Sequence, residues 1–111
     1  MKQYTIEELK NFAFEFINEL EKYDLNIEWS SEVDRGDPYI SIRFLELSIF
    51  ETLNAKVMFV NSLIPHTGLQ IVITYHKDMR YEWQDSMHYN ASTVQDAVLF
   101  ILGKEYLLKW N

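Results

Sequence analysis

The chain reads as an α+β domain: an N-terminal helix, a sheet of four to five mainly antiparallel strands in a meander, and a C-terminal helix, with the helices on one face of the sheet. Three observations carry this. A three- and four-residue apolar period opens the chain, a two-residue period fills its middle, and a second helical period returns near the end. Short polar breaks between the strands favour sequential antiparallel pairing over crossovers.

The first helix starts at a capping box, Thr5 followed three residues later by Glu8. Leu9, Phe12, Ala13, Phe16, Leu20 and Tyr23 then recur on one side, so the spacing predicts a helix over 6–23. Phe14 lies off that stripe; it is either the rim of a wide core face or an exposed aromatic contact. Leu25, Ile27 and Trp29 alternate with polar residues and predict a first strand. The run from Ser31 to Pro38 reads as a loop, with Gly36 and Pro38 supplying turn dihedrals.

Ile40, Ile42 and Phe44 predict a second strand, and the change of apolar parity after Phe44 predicts a bulge or strand break there. Asn54 reads as a turn, and residues 56–60 as a short buried strand. The stretch from Gly68 to Trp83 reads as a hairpin. Leu69, Ile71, Ile73 and Tyr75 form its apolar face, Lys77, Asp78 and Met79 its polar break, and Tyr81 and Trp83 belong to the returning arm, which continues past a kink at Asp85 or Ser86. Ser92 with Gln95 predicts the cap of the second helix, whose stripe is Val94, Ala97, Val98, Ile101 and Leu102. Gly103 reads as its stop, leaving 104–111 as a separate aromatic tail.

Composition narrows the function. A length of 111 residues suits one domain, and 48% hydrophobic with 15% aromatic residues is too much to leave disordered. The chain has no cysteine, which excludes disulfides, thiolate metal sites and cysteine nucleophiles. No apolar run approaches the length of a membrane span, and the N-terminus has no leader pattern, so a soluble cytoplasmic protein is expected.

Net charge is −7, and residues 1–37 carry most of it, with ten acids against four bases. Such a surface repels nucleic acid and anionic membrane and attracts basic partners; the plain alternative is a solvated face that keeps a small domain soluble. No basic patch with interleaved aromatics is present to bind nucleic acid.

The chain's three glycines are scattered, so no phosphate loop forms. His66, His76 and His88 lack the spacing of a helical zinc motif. Only convergence of His76, Asp78 and His88 at the hairpin would make a metal or small-ligand enzyme, and no catalytic residue, metal ligand or cofactor is assigned.

The remaining signal is a surplus of large aromatics beside acids. The expected function is a non-enzymatic protein-binding module of bacterial or phage type. It would be an inhibitor or immunity factor that imitates nucleic-acid charge and meets a basic partner such as a nuclease. Its contact residues would be Glu7, Phe14, Glu15, Glu21, Glu28, Asp34, Asp37, Tyr106 and Trp110. The alternative is a self-associating regulatory or structural domain, a homodimer joined through an edge strand or through the tail.

Overall fold

A computed structural model describes residues 3–45, 51–62, 68–79 and 84–109. The order is α1 (Ile6–Leu20), β1 (Ile27–Asp34), β2 (Asp37–Phe44), β3 (Glu51–Asn61), β4 (Leu69–Met79), β5 (Gln84–Ala91) and α2 (Val94–Lys109). The strands form a five-stranded sheet in the order β1-β2-β3-β4-β5. Every neighbouring pair is antiparallel, so the expected meander is observed.

The register explains how one face becomes the core. Ile42 stands opposite Ala55, Val57 opposite Ile73, and Phe59 opposite Ile71; directly opposed residues share a face. These residues are buried, as are Leu9, Ala13, Phe16, Ile17 and Leu20 of α1 and Val94, Ala97, Val98 and Ile101 of α2. Both helices lie on that face and touch one another, α1 over β2 and β3 and α2 over β4 and β5. The intervening strand residues, among them Arg43, Lys56, Met58, Val72 and Thr74, form the opposite, open face, which mixes polar and apolar side chains.

The first capping box is formed as expected, with the Glu8 amide donating to Thr5 Oγ1 at 3.2 Å and the Thr5 amide to Glu8 Oε1 at 3.1 Å. Here α1 ends at Leu20 rather than Tyr23. The Lys22 and Tyr23 amides bond three residues back, to Glu19 and Leu20, which tightens the last turn and takes Tyr23 off the buried stripe. The second helix is capped one residue later than expected: Thr93 Oγ1 accepts from the Asp96 amide at 3.1 Å.

Four further expectations are corrected. Residues 31–34 are strand, not loop, because Arg35 and Gly36 alone make the turn, both at positive φ (53° and 87°), as a type I′ hairpin requires. Asn54 lies inside β3, held between Arg43 and His76 of the neighbouring strands. Lys77, Asp78 and Met79 continue β4 because they find partners in β3 and β5; Tyr81 and Trp83 of the expected returning arm lie outside the described residues. Finally, α2 runs through Gly103 to Lys109, so 104–109 is helix and not a separate tail. An interior glycine costs only about 1 kcal/mol against alanine, and the packed turns before it hold the helix. The expected break near Phe44 agrees with the end of β2 there.

Candidate functional site: an acidic cleft between α1 and β1

The last turn of α1 descends toward the start of β1, and the two meet at Glu21 and Trp29. The Trp29 indole N–H donates to Glu21 Oε1 at 3.1 Å. Between them lies an open cleft of about 380 Å³, with Leu20, Leu25 and Ile27 at its base and Glu21, Tyr23, Asp24 and Trp29 around it. Glu21, Tyr23, Asp24 and Trp29 are all exposed.

Local sequence accounts for this corner. Packing of the helices falls mainly on β2 to β5, so the helix-side residues of β1 outrun their cover, and Trp29 remains 41% and Val33 50% exposed. The C-terminal end of α1 carries the negative pole of its peptide dipoles, and its last turn holds no basic residue. Lys22, the base next to Glu21 in sequence, is occupied by Glu19 at 2.7 Å, and this bond raises its pKa. The helix end, Glu21 and Asp24 favour a cation, while the Tyr23 and Trp29 rings offer π faces beside it. Such a cleft suits a lysine or arginine side chain, whose aliphatic stem would cover the leucine and isoleucine base.

The other expected contact residues are dispersed. Glu28 faces Arg43 at the 4.0 Å limit of an ion pair, one residue from Trp29. Asp34 and Asp37 face one another across the β1–β2 turn, and Asp34 is bonded to Lys56 at 3.1 Å, so it supports the sheet. On the open face Glu32 accepts from the Tyr39 hydroxyl, and this bond holds the Tyr39 phenol above the ordinary tyrosine range. Lys56 Nζ also lies 4.4 Å from the centre of the Tyr39 ring.

On α1, Glu7 pairs loosely with Lys10 at 3.6 Å. Phe14 is 56% exposed, an outward aromatic rather than part of the core. Glu15 lines a second cleft with Tyr4, Phe12 and Gln95. Tyr106 falls within α2, and Trp110 lies outside the described residues.

The proposed histidine convergence also rests partly on undescribed side chains. The register places His76 opposite Ser86 and His88 opposite Thr74, whose Oγ1 is 3.2 Å from His88 Nδ1; His66 lies outside the described residues. No group of three or more His, Asp or Glu placed to hold a metal occurs among the described residues.

Sequence reasoning picked out Glu21 and Glu28 but missed Tyr23, Asp24 and Trp29 as contact residues. Tyr23 belongs to the apolar stripe expected of the first helix and Trp29 to the alternation expected of the first strand, and both are exposed because α1 ends at Leu20 and the helices pack mainly on β2 to β5.

The molecule is thus a five-stranded open-faced α+β fold with a cation-suited cleft at one corner. Comparison with known protein families, with curated proteins and with solved structures finds no match for the chain. No helix among the described residues is long and apolar enough to cross a membrane.

Proposed function

We propose that this protein is a non-enzymatic binding module that works by docking a partner protein with a basic surface, in the manner of an inhibitor or immunity factor. The observation that supports this reading most directly is the acidic, aromatic-walled cleft at Glu21, Asp24, Tyr23 and Trp29. It concentrates in one corner what an interface anchor needs: desolvatable aromatic area, carboxylates and room for one long cationic side chain. On α1, Phe14 adds an exposed aromatic, and Glu7 and Glu15 add exposed carboxylates. A nuclease is the basic partner to test first, since its substrate-binding surface already selects anions.

The test is a calorimetric titration against a panel of basic nucleases, with a neutral protein as control. Binding should weaken at least tenfold between about 50 and 500 mM salt, because screening shortens the reach of surface charges to roughly 4 Å at the higher value. The double substitution Glu21→Gln, Asp24→Asn should weaken it further while leaving the fold intact. Binding that ignores both salt and this substitution would remove the cleft from the interface.

A further inference from the structure

We propose that the outer edge of β1 receives an extended segment of the basic partner as a sixth strand, with alternating basic and apolar residues. This deepens the reading of the cleft, because Trp29 belongs to both.

The direction of the backbone groups follows from the hairpin. A two-residue turn closes on a hydrogen-bonded pair, here Asp34 with Asp37. The bonded pairs then recur at every second residue, Glu32 with Tyr39, Ser30 with Ser41 and Glu28 with Arg43. The Leu45 amide continues the series by donating to Asn26 O at 2.8 Å. The backbone N–H and C=O groups of Ile27, Trp29, Ser31 and Val33 therefore point away from β2, along an edge that no other strand among the described residues covers. β1 is eight residues long and exposed over most of its length. Such an edge is a template for strand addition.

The two faces of β1 specify the occupant. Trp29 and Val33 stand opposite Ile42 and Pro38, on the helix side, and supply an apolar strip. Glu28, Glu32 and Asp34 lie on the open side, where Arg43 approaches Glu28 and Lys56 bonds Asp34, so the three acids of β1 outnumber the two bases that meet them. An added strand with apolar residues on the first side and lysine or arginine on the second satisfies both. A second copy of this chain fits less well. Antiparallel self-pairing through the outward residues has two registers of greatest overlap, and they set Glu28 opposite either Glu32 or Asp34 of the other copy, where like charges repel.

The experiment uses the whole protein and a synthetic peptide of alternating lysine and valine, with an alternating glutamate and valine peptide as control. Amide hydrogen exchange should slow at Trp29, Ser31 and Val33 on adding the lysine peptide, and not with the glutamate peptide. Ser31→Pro removes one outward N–H without touching the β2 ladder, a position where edge strands tolerate proline, and should weaken peptide binding at least tenfold. Unchanged exchange at these three amides would overturn the proposal, as would binding that survives Ser31→Pro. Concentration-dependent protection without peptide would assign the edge to a second copy instead. The two readings fail separately: a nuclease complex sensitive to Glu21→Gln, Asp24→Asn but indifferent to Ser31→Pro keeps the cleft and discards the strand.

Discussion

The Trp29 indole nitrogen lies 3.1 Å from Glu21 Oε1, a side-chain bond that joins the end of α1 to the edge strand of the sheet. Both residues are exposed, so the bond arranges a surface rather than closing a core. Substituting Glu21→Ala or Trp29→Ala should change the urea unfolding free energy by no more than about 0.5 to 1 kcal/mol, as for other exposed sites. The same substitutions should weaken the complex with a basic partner by about 2 kcal/mol if Trp29 is an anchor. Unfolding curves and binding isotherms measured on the same variants check the separation.

The β1–β2 turn carries removable strain. Arg35 adopts a φ of 53° and Gly36 a φ of 87°. A Cβ atom is disfavoured in this left-handed region by about 1 to 2 kcal/mol because it crowds the following carbonyl oxygen, whereas the short side chain of asparagine offsets this by hydrogen-bonding locally. Arg35→Asn creates the Asn-Gly pair favoured by this turn type and should stabilise the protein by about 0.5 to 1 kcal/mol. Gly36→Ala should destabilise it by about 1 kcal/mol or more. The urea midpoint reports both signs.

The capping assignment separates two adjacent residues. Thr93→Ala removes the acceptor of the Asp96 amide and should cost about 1 kcal/mol. Ser92→Ala, outside the cap, should leave the thermal midpoint nearly unchanged. The opposite ranking would restore Ser92 as the cap.

Tyr89 links β5 to α2. Its hydroxyl lies 3.0 Å from each Asp96 carboxylate oxygen, and its ring stacks on Phe100 with centroids 4.2 Å apart. The bond to Asp96, aided by partial burial and the carboxylate's charge, raises the phenol's pKa. Because the folded value is raised, the stabilisation is complete below the unfolded tyrosine pKa and is lost as pH rises through the folded one. Ultraviolet titration should show late ionisation of two tyrosines, Tyr39 and Tyr89; Tyr89→Phe should remove one of these two equivalents and Asp96→Asn should shift it to lower pH. The stability difference between the original chain and Asp96→Asn should shrink over the same alkaline interval.

Legibility followed how local each signal was. The Thr5–Glu8 box and the Leu9 to Leu20 stripe lie within one helix, so neither needed a distant residue to interpret. Leu69, Ile71 and Ile73 were read correctly because their alternation reports a half-buried strand directly. Residues 31–34 were misread because β1 is exposed on both sides, and an edge strand without a buried face leaves no two-residue hydrophobic period. Asn54 and Lys77 were misread because partners on neighbouring strands, which local propensity does not see, hold them extended.

The acids were countable in the chain, but their roles were not. Asp34 is engaged by Lys56, Glu32 by the Tyr39 hydroxyl and Glu28 approached by Arg43, whereas Glu21, which accepts from the Trp29 indole, borders an open cleft with Asp24. These assignments depend on cross-strand register and on where α1 ends.

The amino-acid sequence by itself determined the α+β class, the one-sided burial and the concentration of negative charge in the first third, because each is set by residue type and local period. Only the tertiary structure decided that β1 would be an edge, that α1 would stop beside it, and that Tyr23, Asp24 and Trp29 would share a cleft with Glu21. Those facts arise from how the helices cover the sheet: two helices lie mainly over four of the five strands, and the strand beyond them keeps its aromatic and backbone groups open.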